Sequence, residues 1–156
     1  MKQQTMFLKI LEQSDLERFI VLCKKFFDNS PYEDKSFSYE KVKDLAQQII
    51  DSDKSESIVI LLHDGEQAQG FIVGLTSETP FGTDKVAVEL AWWVEPEYRG
   101  TRKSLELMKA YEAWARKVGC QIVQMGYIEN SSPEKLAEIY NRNGYTLQEK
   151  GFWKVI

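Results

Sequence analysis

The residues best suited to chemistry lie in one stretch, A-V-E-L-A-W-W-V-E-P-E-Y-R-G-T-R-K-S-L-E-L-M-K, from Ala87 to Lys109. A strand-like run ends at Val94, Pro96 prevents its continuation, and Arg99-Gly100-Thr101 leads directly into a helical pattern. The first-turn amides of a helix lack internal acceptors, and the helix dipole puts partial positive charge at the same end, so such a turn attracts an anion. Arg99, Arg102 and Lys103 add full charges there, and Thr101 and Ser104 add hydroxyl donors, which together would suit a phosphate. A capped core helix with merely solvated cations fits the same spacing equally well.

Upstream in the same stretch, strand alternation over Val86 to Val94 places Val88, Leu90, Trp92 and Val94 on one face and Glu89, Ala91 and Trp93 on the other. Glu89 is then a lone carboxylate beside an aromatic ring, suited to accept a proton directly or through water. A solvent-facing strand residue fits it as well, and a bulge in the strand would undo the face count. Nucleophilic triads and metal sites find little support. The single histidine, His63, precedes the turn residues Asp64-Gly65 and reads as a strand-end surface residue. Cys23 and Cys120 lie in apolar stretches without metal-ligand spacing and read as buried free thiols of a reducing cytosol.

These groups must be positioned by a regular framework, and apolar periodicity supplies one. Thr5 to Leu11 predicts a strand, and Ser14 with Glu17 predicts a capping box opening a helix through Leu16, Phe19, Ile20, Cys23 and Phe26. Asn29-Ser30-Pro31 stops it, and Val42, Leu45, Ala46, Ile49 and Ile50 mark a second helix. Strands at Ile58 to Leu62, Gly70 to Thr76 and Lys85 to Val94 follow as a meander. A third helix runs to Val118 with Gly119 as its stop. Cys120 to Tyr127 predicts a strand, Pro133 to Asn143 a helix, and Lys150-Gly151 the turn of a final hairpin. The order describes an α+β sandwich with one mixed sheet and helices on both faces.

Composition agrees with one globular unit over residues 1–156, since 43% of the side chains are hydrophobic and 28% charged. Twenty Lys and Arg against 24 Asp and Glu leave a net charge of −4, which argues against a nucleic-acid coat. The longest apolar run, Ile58 to Leu62, is far too short to span a bilayer, and the N-terminus lacks a secretory h-region, so a cytoplasmic protein without membrane partners is expected. Aromatic residues make up 12%, which suggests an aromatic-lined cleft besides the core.

Two segments carry a family resemblance. V-E-P-E-Y-R-G-T-R-K-S resembles motif A of the GNAT superfamily of N-acetyltransferases, V-x-P-x-[YF]-R-G-x-G-x-[GA], and L-A-E-I-Y-N-R-N-G-Y, Leu136 to Tyr145, resembles motif B, A-x-x-L-Y-x-x-x-G-[FY]. The order of elements over nearly the whole chain is similar as well, most of all to small bacterial and phage members. The resemblance implies a three-layer α/β/α sandwich whose mostly antiparallel mixed sheet splays in a V between its fourth and fifth strands. It further implies acetyl-coenzyme A as cosubstrate, bound by Trp92, Trp93 and Val94, by Arg99, Gly100, Thr101, Arg102, Lys103 and Ser104, and by Asn130 and Tyr140. Two departures stand out: Arg102 and Ser104 replace the family's usual small residues and remove room for close approach to the phosphates, although Arg102 could pair with them directly.

By the same resemblance Tyr140 is the acid that protonates the departing thiolate, although a tyrosine anchoring its helix suits the spacing; the strand alternation, not the resemblance, makes Glu89 the candidate base for the amine proton. Tyr32 and Phe37, in the loop between the first two helices, would join Trp93, Trp153, Asp34 and Glu89 in an aromatic, acidic pocket for an amine. A small amine, a polyamine, an aminoglycoside and a protein lysine or N-terminus all remain open as acceptors. The altered loop motivates a second reading, a GNAT-fold protein without turnover that docks on a protein partner. The aromatic end G-F-W-K-V-I suits a sheet edge or a homodimer contact.

Overall fold

Period-two alternation in β2 decides how the molecule is layered: Val59 and Leu61 face one side of the sheet and Ile58, Ile60 and Leu62 the other, and both sets are buried. Such a sheet needs a cover on each face. The computed structural model describes residues 5–128 and 132–156, in the order β1 (Phe7–Ile10), α1 (Leu16–Asp28), α2 (Tyr39–Asp51), β2 (Ser57–His63), β3 (Ala68–Glu78), β4 (Lys85–Val94), α3 (Arg102–Lys117), β5 (Ile122–Gln124) and α4 (Pro133–Arg142). Short 3-10 turns at Gln13–Asp15 and Pro96–Tyr98 precede α1 and α3. The strands lie side by side in chain order, antiparallel except for the parallel pair β4 and β5. Leu16, Phe19, Ile20, Leu22, Ala46 and Ile49 of α1 and α2 pack on one face against Val59, Leu61, Phe71 and Val73. Leu107, Tyr111, Trp114 and Ala115 of α3 cover the other face against Ile58, Ile60, Leu62 and Ile72.

Two irregularities shape the end of the sheet where the motif residues lie. The parallel pairing of β4 with β5 covers only Val86↔Ile122, Ala87↔Val123 and Val88↔Gln124, after which the strands part. In the same region Gly74 pairs with Glu89 and Val73 with Ala91, so Leu90 is an extra residue bulged out of β4. The bulge reverses the alternation, and the expected face count fails. Ala91 and Trp93 face α1 and α2, whereas Ala87, Trp92 and Val94 face α3. Glu89 goes with the second group, because its cross-strand partner Gly74 lies under the Tyr111 ring of α3.

That contact makes Gly74 a sensitive position. A Cβ built there would fall 2.6 Å from the Tyr111 ring and 3.1 Å from Trp114, both held in the core. Gly74→Ala is therefore expected to lower stability by about 1–3 kcal/mol, as overpacking does, read as a fall in the denaturant midpoint at unchanged slope.

Three local expectations are corrected. The carboxylate that closes the turn before α1 is Asp15, which accepts from the Glu12 amide at 3.0 Å, and not Glu17; Ser14 lies inside the 3-10 turn. Asp15 takes this place because it also pairs with Lys9 at 2.9 Å. His63 is buried, not a surface residue: its ring packs on Phe7 and its Nδ1 accepts from the Gly65 amide at 3.0 Å. The hairpin across Lys150-Gly151 does not form, and residues 145–156 hold no strand. With apolar residues on both sides of Lys154 this end lacks a strand's alternation, β5 offers a short edge, and a lone two-stranded hairpin is marginal in water. Leu147, Phe152, Trp153, Val155 and Ile156 are left exposed.

Candidate active site

The parting of β4 from β5 opens a cavity of about 590 Å³. Its floor is the bulged end of β4, Glu89, Leu90, Trp92, Trp93 and Val94. One wall comes from Arg99 and Ser104 at the entry to α3, Gly126, Tyr127 and Ile128 after β5, and Ser132, Lys135, Leu136, Ile139 and Tyr140 of α4 and its approach. The other comes from Phe26, Asp28 and Asn29 at the end of α1 and Glu33 in the following turn. Glu89 and Tyr140, from distant parts of the chain, thus face one space.

Glu89 makes no hydrogen bond or ion pair among the described residues. Removing a carboxylate from water without a compensating partner disfavours its charged form, and burial pushes the Glu89 carboxyl up to about 8. It is therefore poised to exchange a proton near neutral pH. The Tyr140 phenol is 7% exposed and donates to the Gly126 carbonyl at 2.5 Å. Burial first, and the Glu89 charge second, hold its proton on well beyond the ordinary tyrosine range. Its ring lies between those of Trp92, 6.5 Å away, and Tyr145, 5.8 Å away. The Trp92 indole N–H is buried and has no acceptor among the described residues, an unmet donor beside the tyrosine.

The turn between β4 and α3 is tied down at both ends. The Trp93 indole donates to Glu95 at 3.0 Å, and Lys25 of α1 reaches the same carboxylate at 2.6 Å. Burial works to raise the Glu95 carboxyl, but the hydrogen bonds from Lys25 and Trp93, with Arg18 nearby, prevail and hold it below its ordinary value. Arg99 folds back: its Nε donates to the Val94 carbonyl at 2.7 Å and its guanidinium lies 4.5 Å over the Trp93 ring. Gly100 follows at φ +72°, a conformation that favours glycine, with open space where a Cβ would stand. Thr101 caps α3 by accepting from the Ser104 amide at 3.2 Å, so that amide is taken, while the amides of Arg102 and Lys103 precede the first intrahelical bond. Lys103 and Arg102 both lean on Glu106, at 3.0 and 3.8 Å.

The structure thus brings Glu89, Trp92, Trp93, Val94, Arg99, Ser104 and Tyr140 to one cavity. Gly100, Thr101, Arg102 and Lys103 continue from its rim but do not line it. Tyr32 and Phe37 are not in its wall either: Tyr32 meets the Trp153 ring at a tilt with centroids 5.3 Å apart, and Phe37 packs on Phe27. Asn130 lies outside the described residues. Glu89 and Trp93, expected on one face, point to opposite sides of β4 because of the bulge, although both border the opening. Residues that sequence reasoning missed include Lys135, Leu136 and Ile139, whose helical spacing to Tyr140 could have found them, and Asp28 and Glu33, for which the stop at Asn29-Ser30-Pro31 was the available signal. Among the described residues no group of three or more His, Cys, Asp or Glu side chains could hold a metal ion, and no helix is long and apolar enough to cross a membrane.

The sheet is thus mixed and parted at β4 and β5, with the turn between β4 and α3 at the mouth of the gap. The acetyltransferase (GNAT) family profile matches residues 17–145, and the chain belongs to that family. No curated protein sequence matches it. Among solved structures it is similar to the aminoglycoside acetyltransferase AAC(6')-Iy in complex with a coenzyme A bisubstrate analogue, at TM-score 0.77 and 14% identity over 97% of this chain and 98% of that one. An acetyltransferase from Trypanosoma brucei gives TM-score 0.74 and 18% identity over 97% and 100% of the two chains. Glucosamine-6-phosphate N-acetyltransferase from Arabidopsis thaliana gives 0.75 and 14% over 97% and 98%. At such identities the likeness is one of fold.

Proposed function

We propose that this protein transfers an acetyl group from acetyl-coenzyme A to a primary amine by direct attack on the thioester. The observation that carries the reading is Glu89, an unpaired carboxyl near neutrality, opening with Tyr140 into the gap between β4 and β5. The coenzyme fits the residues present. The uncapped amides of Arg102 and Lys103 and the open backbone at Gly100 suit a pyrophosphate, and the parted strands leave room for the pantetheine arm along Trp92 to Val94. Arg99 serves by fixing the turn rather than by reaching outward, since its Nε is committed to Val94.

The acceptor enters as the free amine. Its nitrogen attacks the thioester carbonyl carbon, the C–N bond forms, and the Glu89 carboxylate takes the proton that nitrogen releases. The Val94 backbone N–H, on the edge of β4 turned toward the gap, stabilises the oxyanion. The C–S bond then breaks, and the Tyr140 hydroxyl gives its proton to the departing sulfur. The products are the N-acetylated amine and the coenzyme thiol. The proton on Glu89 returns to the Tyr140 phenolate through solvent, so the site regains its starting state.

A second reading has support in Glu106, which draws Lys103 and Arg102 away from a phosphate, and in Thr101, which occupies the Ser104 amide. It is a protein that binds coenzyme weakly and docks on a partner without turnover. Cell extract incubated with the protein and isotope-labelled acetyl-coenzyme A, read by mass spectrometry, separates the two. The expected result is protein-dependent label on an amine. Coenzyme binding, seen as a raised melting temperature, with no labelled product would sustain the second reading.

A further inference from the structure

The two walls of the cavity differ in charge. On the side of α3 and α4 stand Arg99 and Lys135; on the side of α1 stand Asp28 and Glu33, with Glu89 on the floor between them. The last turn of α1 adds to the acidic side, since the negative end of its dipole lies where Phe26, Asp28 and Asn29 line the cavity. Asp28 is already paired with Lys24. Glu33 has no ion pair among the described residues, and its backbone is held in place: its amide donates to the Ser30 carbonyl at 3.1 Å, and the buried Ser30 hydroxyl both donates to Phe27 and accepts from the Tyr32 amide. Its chain neighbour Tyr32 is held by a tilted contact with the Trp153 ring.

We infer that the acceptor is a small amine carrying a second cationic nitrogen, a diamine or polyamine, with the reacting nitrogen at Glu89 and the retained ammonium at Glu33. The inference rests on the acetyltransferase reading and specifies its substrate. Half-buried and unpaired among the described residues, Glu89 is the group that accepts the reacting nitrogen's proton. Glu33 at the rim keeps water around it, so it attracts a charged ammonium without forcing its deprotonation. A monoamine leaves Glu33 unmatched. A neutral or anionic acceptor forgoes the charge attraction of this wall.

The test compares 1,4-diaminobutane with 1-aminobutane as acceptors at saturating acetyl-coenzyme A, and measures diamine binding by calorimetry, which needs no turnover. The expected kcat/KM ratio favours the diamine by about tenfold or more, the scale of one charge-assisted contact, and Glu33→Gln brings the ratio toward one, mainly through KM. Glu33→Lys should carry it below one. Equal ratios in the parent protein, or a ratio that Glu33→Gln and Glu33→Lys leave unchanged, would overturn the inference. So would a lysine peptide that outcompetes the diamine. Diamine binding that depends on Glu33 but yields no acetylated product would support the binding site while overturning the proposed reaction; transfer to monoamines with no Glu33-dependent diamine binding would do the reverse.

Discussion

Glu89→Gln is expected to lower kcat by about two to four orders of magnitude, the usual range for removing a general base, and at the same time to stabilise the protein in alkaline solution. Both effects come from one half-buried, desolvated carboxyl that has no partner among the described residues. The folded protein holds its proton up to about pH 8, whereas the unfolded chain releases it near 4.5. Between those values the folded state binds more protons than the unfolded one, so the ionisation of Glu89 makes stability fall as pH rises. The penalty is absent below 4.5 and complete above 8. Glutamine cannot ionise and escapes it. The variant should therefore melt at a higher temperature than the parent at pH 9, with the difference shrinking as pH falls through the window. In the parent, kcat/KM for the acceptor should rise through about pH 8 as the base deprotonates, and the variant's residual rate should lack that inflection. A variant that kept its rate would remove Glu89 from the chemistry, and one whose melting curve tracked the parent's at every pH would mean that the carboxyl is solvated.

Tyr140→Phe is expected to reduce kcat by about a hundredfold with a smaller change in KM, because in the proposed reaction the hydroxyl acts on the departing sulfur rather than on bound substrate. The phenol is kept protonated by burial and by Glu89, the condition an acid must meet. In the free protein its hydrogen goes to the Gly126 carbonyl at 2.5 Å, so acting on the thiolate requires that contact to be exchanged. Loss of the same contact should lower stability by about 1 kcal/mol. The two roles separate with the donor: an acyl thioester with a more acidic thiol needs less help to leave, so the variant's deficit should narrow with it. A constant deficit across donors would assign Tyr140 to positioning alone.

Much of this arrangement was legible in the residues. Lys85 to Val94, Pro96 and Gly100 spell out a strand, a stop and a turn with purely local rules, and Thr101 caps α3 where its type predicts. Tyr140 was placed by a motif whose spacing survives in this chain. Glu89 was named as the base but set on the wrong face, because a bulge at Leu90 depends on how β3 and β4 twist together and leaves no mark on β4 alone. Arg99 was read as an outward hand for phosphate, since the pull of the Val94 carbonyl and the Trp93 ring appears only once the turn has folded. Tyr32 and Phe37 were assigned to the pocket from their place in a loop, yet it is their neighbour Glu33 that reaches it. The end of the chain misled for another reason: its aromatic content resembles a strand, but strand formation needs an edge to pair with, and β5 offers one only three residues long.

The three-residue seam between β4 and β5 also leaves part of the sheet's backbone without a partner strand. Beyond Val88 the side of β4 turned away from β3 is an incomplete ladder, and its amides are free to exchange with solvent. The pantetheine arm, lying there as proposed, would act as the missing piece of sheet. Deuterium uptake at Trp92 and Val94, whose amides alternate away from β3, should then slow when coenzyme is added. A ligand that binds only the folded state stabilises it, so the protein should also resist proteolysis longer with coenzyme present than without it.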